Sequence, residues 1–216
     1  LVATLLGSHP PRGLVGPAMR LLERTIGNGG DCRLLTRLNR HRYSSRDRRR
    51  LNLARAMCAE RGGDTEAADG ILFQLLEENR GDDIALSAAQ QIVARPPVER
   101  DARSHLLLGF AFYEHREFGI AIQHLARAQV RAASAADVSS RDAFDCRYAL
   151  ARSHFWQERF EVAAAAFGAL VKTTTNPTQR AQVLYQRARS LELDGTWSEA
   201  ADAFALALQQ DPSGRW

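Results

Sequence analysis

One pattern occurs three times in this chain and severely limits what it can fold into. It is His105-x-x-Leu108-Gly109-x-x-Phe112 followed by Ala121-x-x-x-Leu125 and Ala128. It returns as Leu150-Ala151-x-x-His154 with Ala163-x-x-x-Phe167, and again as Ala188-x-x-Leu191 with Ala200-x-x-x-Phe204 and Ala207. Each copy reads as a helix, a tight turn and a second helix, with small residues where the two helices must touch. A single helix pair cannot bury its own apolar face, so tandem copies have to stack on one another. The expected fold is all-α, an α-solenoid of stacked antiparallel helix pairs. Composition agrees: 45% of residues are hydrophobic, enough for a continuous core, while aromatics are only 7%.

The chain divides unevenly around this pattern. Residues 1–48 form an irregular, degenerate helical segment, punctuated by His9-Pro10-Pro11, Gly16-Pro17 and Gly27-Asn28-Gly29-Gly30. A short helix is expected from Ala18 to Thr25, and Asp31 is placed to cap another over Leu34, Leu35 and Leu38. Residues 49–100 hold a degenerate helix pair, turned at Gly62-Gly63-Asp64, plus an extra helix that starts at Asp82 or Asp83. That helix stops at Arg95-Pro96-Pro97, because proline disfavours the helical conformation in the residue before it. Residues 102–216 carry the three repeats, at 102–135, 144–177 and 181–214. Gly109, Ala151 and Ala188 stand 42 and 37 residues apart, so the connections Ala132–Ser140 and Thr173–Thr178 absorb the excess over a tighter period.

These repeats resemble the tetratricopeptide repeat, whose period is about 34 residues. The resemblance implies a right-handed superhelix. It also implies that Phe118, Phe160 and Trp197 plug the gap between paired helices, while Phe112, Leu125, Phe167 and Phe204 fill the layer between units. Two departures stand out. The large aromatic that opens the family's first helix is replaced by His105, Arg147 and Leu184, and Arg187 stands where an apolar residue is usual.

In such a superhelix the first helices line the inner wall, which makes their non-packing face the candidate binding surface. Leu106, Phe110 and Tyr113 would neighbour Tyr148, Arg152, Phe155 and Trp156, with Tyr185 and Arg189 continuing the row. Aromatics interleaved with arginine suit an extended peptide or a helix, the arginines pairing with its carboxylates. The lysine and asparagine clamp that some tetratricopeptide proteins close on a terminal carboxylate has Leu106, Phe110 and Ala149 in its places here.

Chemistry is hard to find. There is no phosphate-binding loop, no H-E-x-x-H and no G-x-S-x-G. Ser104-His105 and Ser153-His154 are helix neighbours whose side chains point apart. His115 and His124 lie on different helices of one repeat and could approach each other. Cys32, Cys58 and Cys146 are too scattered for a disulfide framework and read as small apolar packing residues. No catalytic, cofactor-binding or metal site is assigned. Net charge is +4, and 28 of the 29 cations are arginine, Lys172 being the exception. Eight arginines and His41 crowd Arg33–Arg50 against the single acid Asp47. With one aromatic, Tyr43, that run lacks the stacking rings of a nucleic-acid site and reads as a solvated helix face or an inter-domain contact. No apolar run reaches the roughly 18 residues that a membrane span needs.

A second, narrower resemblance comes from the arginine- and alanine-rich degenerate repeats ending in Asp211-Pro212-Ser213-Gly214-Arg215-Trp216. They look like the superhelical region of bacterial soluble lytic transglycosylases, which flanks a peptidoglycan-cleaving domain in the periplasm. The Glu-Ser pair and Gly-x-Met-Gln stretch of that domain are missing, the only methionines being Met19 and Met57. Two functions follow: a non-catalytic scaffold binding a protein or peptide on its concave face, or the accessory arm of such an enzyme, with its catalytic domain elsewhere in the polypeptide. The first leaves the compartment open and cytoplasmic by default; the second places it in the periplasm. Leu1–Gly7 lacks the basic flank and cleavage site of a signal peptide. A start at Leu1 reads as a piece of a longer chain, whose continuation would cover an apolar edge near Leu206 and Leu208.

Overall fold

The computed structural model describes residues 12–38, 43–132 and 139–214. The readings made for Leu1–Gly7, for His9-Pro10-Pro11, for Arg40, His41 and Arg42 of the basic run and for most of the Ala132–Ser140 connection lie outside the described residues. Within them the chain forms ten α-helices, one 3-10 helix and no strand. It divides into two compact units, Leu1–Val98 and Glu99–Trp216.

The first unit contains α1 (Arg12–Gly27), a 3-10 helix (Cys32–Arg37), α2 (Ser45–Arg61), α3 (Thr65–Glu78) and α4 (Asp83–Ala94). Helix α1 is longer than the sequence suggests and runs through Pro17. A proline this near the start of a helix forfeits a single early backbone bond, which downstream packing outweighs. Met19, Leu22 and Ile26 of α1 close a core with Leu35, Leu38, Tyr43, Leu51 and Ala54. The segment after Asp31 is a 3-10 helix, with the Asp31 side chain accepting from the backbone N–H of Arg33. Asp82 caps α4 and accepts from the N–H of Ala85.

Charge holds α2, α3 and α4 together. Arg49 is 5% exposed. Its guanidinium donates to the carbonyls of Leu75 and Asn79 and to the carboxylates of Glu78 and Asp82. A cation there meets the negative end of α3 and the capping acid of α4 at once. Arg50 bonds Glu23 (2.6 Å) and Asp83, while Arg46 bonds Asp83 at 2.8 Å. Three arginines of the dense basic run are thus engaged by acids of their own unit.

The cysteines depart from the sequence reading. Cys32 and Cys58 form a disulfide between the 3-10 helix and α2, with Cα atoms 5.8 Å apart. The spacing of 26 residues carried no signal, because it is the fold that brings the two together. Cys146 is buried and free, as a packing residue should be, and burial pushes its thiol up to about 11.

The second unit is the regular one: α5 (Ala102–Glu114), α6 (Phe118–Ala132), α7 (Ser140–Trp156), α8 (Phe160–Thr173), α9 (Pro177–Leu193) and α10 (Trp197–Gln210). Each helix packs on its sequence neighbours, and α5 also meets α7, so the unit is an α-solenoid of stacked antiparallel pairs. Phe112, Leu125 and Phe167 are fully buried and Phe204 partly so. Gly109 lies against α6 so closely that a Cβ there would meet Leu125 side-chain carbons at 2.7 Å and its backbone nitrogen at 3.1 Å. Ala151 joins Ala163 in one core and Ala188 joins Ala200 in the next.

The turns repeat as faithfully as the seams. At the end of α5, Arg116 has φ 63° and the N–H of Glu117 returns to the carbonyl of Phe112. Glu158, at φ 58°, and Gly195, at φ 84°, do the same after α7 and α9, with Arg159 bonding His154 and Thr196 bonding Leu191. Gly63 repeats it in the first unit, where Asp64 bonds Ala59. This left-handed helix end satisfies carbonyls that would otherwise lack partners.

One expected plug fails. Phe118 is 9% exposed because Trp156 of the following pair stacks on it, but Trp197 is 68% exposed. Among the described residues no later pair follows α10 to cover it. Leu206 and Leu208 on the same helix are 45% and 51% exposed.

His105, and not His115, reaches His124. Their Nδ1 atoms lie 3.0 Å apart and both rings are buried, so one ring must donate to the other. Burial lowers both pKa values, His124 to about 4, and the neighbouring Arg127 and Arg100 push the same way; Asp101 opposes weakly at His105. The folded state therefore prefers neutral rings, whereas unfolded histidine binds a proton near pH 6.5. Stability from this pair is complete above about pH 6.5 and is lost as pH falls toward 4. Urea unfolding across that range should show this loss, and His124→Phe should remove most of it. Equilibrium unfolding also tests the seam. Gly109→Ala should cost about 1–3 kcal/mol. Gly70→Ala, where an added Cβ meets nothing, should gain about 0.5–1 kcal/mol.

Candidate interaction face

The row of residues read as an inner wall separates into three groups. Leu106 and Phe110 are 6% and 7% exposed, so they serve packing within the second unit and offer little surface. Tyr113, Tyr148, Arg152, Phe155 and Trp156 come together where the end of α5 meets α7. Tyr185 and Arg189 lie apart on α9: Tyr185 packs edge-on against Phe204 at 5.8 Å, and Arg189 Nε is 3.2 Å from Glu192.

The central group is built around Trp156. Its indole is 43% exposed and stacks at 11° on Phe118, with centroids 6.1 Å apart. The guanidinium carbon of Arg116 lies 5.2 Å from the Trp156 ring centroid and that of Arg152 lies 5.4 Å from it. Such cations are drawn to the electron-rich ring face. Phe155 meets Trp156 and Phe160 edge-on, at 5.6 and 5.5 Å. Tyr113 packs edge-on against Phe118 at 6.0 Å.

Tyr148 stacks on Phe144, meets Phe167 edge-on and accepts a hydrogen bond at its hydroxyl from Gln182 Nε2 at 3.2 Å. Burial pushes the phenols of Tyr113 and Tyr148 upward, while the nearby Arg152 cation opposes the shift. This guanidinium lies over Trp156 with its charge felt at both phenols, and its Nε is buried without a hydrogen-bond partner. The patch can bury an apolar or aromatic side chain on Trp156 and attract a carboxylate at Arg116 and Arg152. The nearby Ser153 is fully buried, with its hydroxyl donating to the carbonyl of Ala149 at 2.8 Å.

Arg116, Phe118 and Gln182 were not part of the row that the sequence suggested. Phe118 was assigned to the helix gap, and it also supports Trp156. Arg116 owes its place to the left-handed turn, which no residue type at that position announces. Gln182 stands 34 residues after Tyr148, close to one repeat, and that spacing was the available signal. Among the described residues no group of three or more His, Cys, Asp or Glu could hold a metal, and no helix is long and apolar enough to cross a membrane.

Stacked helix pairs, small-residue seams and left-handed turns define a helical-repeat scaffold, a class that holds protein partners and is typically non-catalytic. The tetratricopeptide-repeat family model matches residues 148–215, which span α7 from Tyr148 onward, α8, α9 and α10. No curated protein matches the chain. Among solved structures it is similar to "MamA MSR-1 C2", at 16% identity and a TM-score of 0.43, covering 93% of this chain and 98% of that one. It is also similar to "MamA AMB-1 C2221", at 18% identity and a TM-score of 0.42, covering 97% and 96%.

Proposed function

We propose that the second unit binds a protein partner on the face carrying Trp156, taking an extended peptide or a helix that presents an apolar side chain beside a carboxylate. The observation that carries this reading is the Trp156 indole, left half-exposed between Arg116 and Arg152 with Tyr113 and Tyr148 alongside. A rigid aromatic gives contact area at small entropic cost, and arginine adds direction through paired hydrogen bonds.

A random peptide library selected against the whole chain should yield binders enriched in Asp and Glu next to an apolar residue. Trp156→Ala should weaken the selected peptides by about tenfold or more, roughly 1.4 kcal/mol, with helicity by circular dichroism unchanged. Equal affinity in the variant would remove the proposal.

A second reading makes this chain the non-catalytic arm of a periplasmic peptidoglycan-cleaving enzyme. The Cys32–Cys58 disulfide favours it, because such bonds persist in oxidising compartments and are rare in the cytosol. Sequencing the reading frame past Trp216 tests it: a domain with a Glu-Ser pair must follow.

A further inference from the structure

Three features of the first unit converge on its disulfide. Cys32 and Cys58 are both only half-buried, and they line a shallow surface depression together with Leu35 and Arg55. Arg61 Nη2 lies 2.6 Å from Cys32 Sγ and 3.5 Å from Cys58 Sγ, and it is held there by donating to the carbonyl of Gly30 at 2.8 Å. The bond joins a six-residue 3-10 helix to α2, and a 3-10 helix has poor hydrogen-bond geometry of its own. Leu35 and Leu38 at that helix enter the core of the unit.

We propose that Cys32–Cys58 is a thiol–disulfide exchange site, opened by a dithiol, which latches the 3-10 segment to α2. A thiolate of the dithiol approaches across this depression and attacks Cys58 Sγ. The Cys32–Cys58 bond breaks, and Cys32 leaves as a thiolate facing the Arg61 cation. The dithiol's second thiolate then attacks its own partner sulfur, which releases Cys58 as a thiolate. Two protons pass from the dithiol to the cysteines, so the chain gains two electrons and two protons while the dithiol becomes a cyclic disulfide. Arg61 favours opening because a leaving thiolate held by a cation departs faster. Once open, the segment loses its covalent tie to α2 while Leu34, Leu35 and Leu38 still pack on the core, and it detaches more readily.

Dithiothreitol at pH 7 without denaturant, followed by iodoacetamide and peptide mass mapping, tests the proposal on the whole chain. Cys32 and Cys58 should be alkylated, while the buried Cys146 is spared. The alkylation rate of reduced Cys32 should titrate below the ordinary thiol value of about 8.5. Arg61→Gln should raise that midpoint by about one pH unit, and Arg61→Lys should restore it. Trypsin should cut after Arg33 about tenfold faster in the reduced protein. A disulfide that resists dithiothreitol until the chain is unfolded would overturn the proposal. So would a Cys32 midpoint that ignores residue 61, or a cleavage rate indifferent to reduction.

Discussion

In the second unit, helices come close enough to share a core only where a side chain is missing or reduced to a methyl group. At the α5–α6 crossing, Gly109 leaves room for Leu125, and an added carbon would meet both its side chain and its backbone. The alanine pairs 151 with 163 and 188 with 200 fill the same role in the next two hairpins. Close backbone approach allows Phe112, Leu125 and Phe167 to be fully buried between layers, and dense packing of this kind makes one arrangement far better than its neighbours. The positions of Trp156, Arg152 and Tyr113 on the exposed side follow from that spacing. A looser crossing would shift α7 against α5 and separate Trp156 from Phe118.

The first unit reaches compactness by other means. Its α2–α3 hairpin keeps the left-handed turn at Gly63, but the helix ends are held by arginine. Arg49 ties α2 to the end of α3 and the start of α4, and Arg95 bonds Glu60 and Asp69. Buried ion pairs of this sort add little net stability while making loss of one partner costly. Specific placement, more than depth of core, is their contribution here. The disulfide adds a covalent tie where the chain is least regular.

What could be read from the sequence was whatever repeats. Period and small-residue spacing gave the helix pairs of the second unit, and Asp31 and the Asp82-Asp83 pair were visible as caps. Features created by the fold across different parts of the chain were not visible. Cys32 meets Cys58, and His105 meets His124, through packing that no local pattern encodes. Arginines that looked like one basic surface turned out to have Glu23, Glu78, Asp82 and Asp83 waiting for three of them. For the interaction face, Trp156 and Arg152 could be named because they share a helix, whereas Arg116 arrives by a turn. Leu106 and Phe110 lie on that same wall by periodicity, but their neighbours cover them.

The tightness of the α5–α6 crossing can be measured without knowing any ligand. In a double-mutant cycle, Gly109→Ala and Leu125→Ala are unfolded singly and together by urea. If Gly109 exists to admit Leu125, the methyl group should cost less once Leu125 is trimmed, giving a coupling of about 1 kcal/mol or more. Costs that add to within about 0.5 kcal/mol would mean that the two helices do not meet through this pair, and the stacking scheme built on it would be wrong.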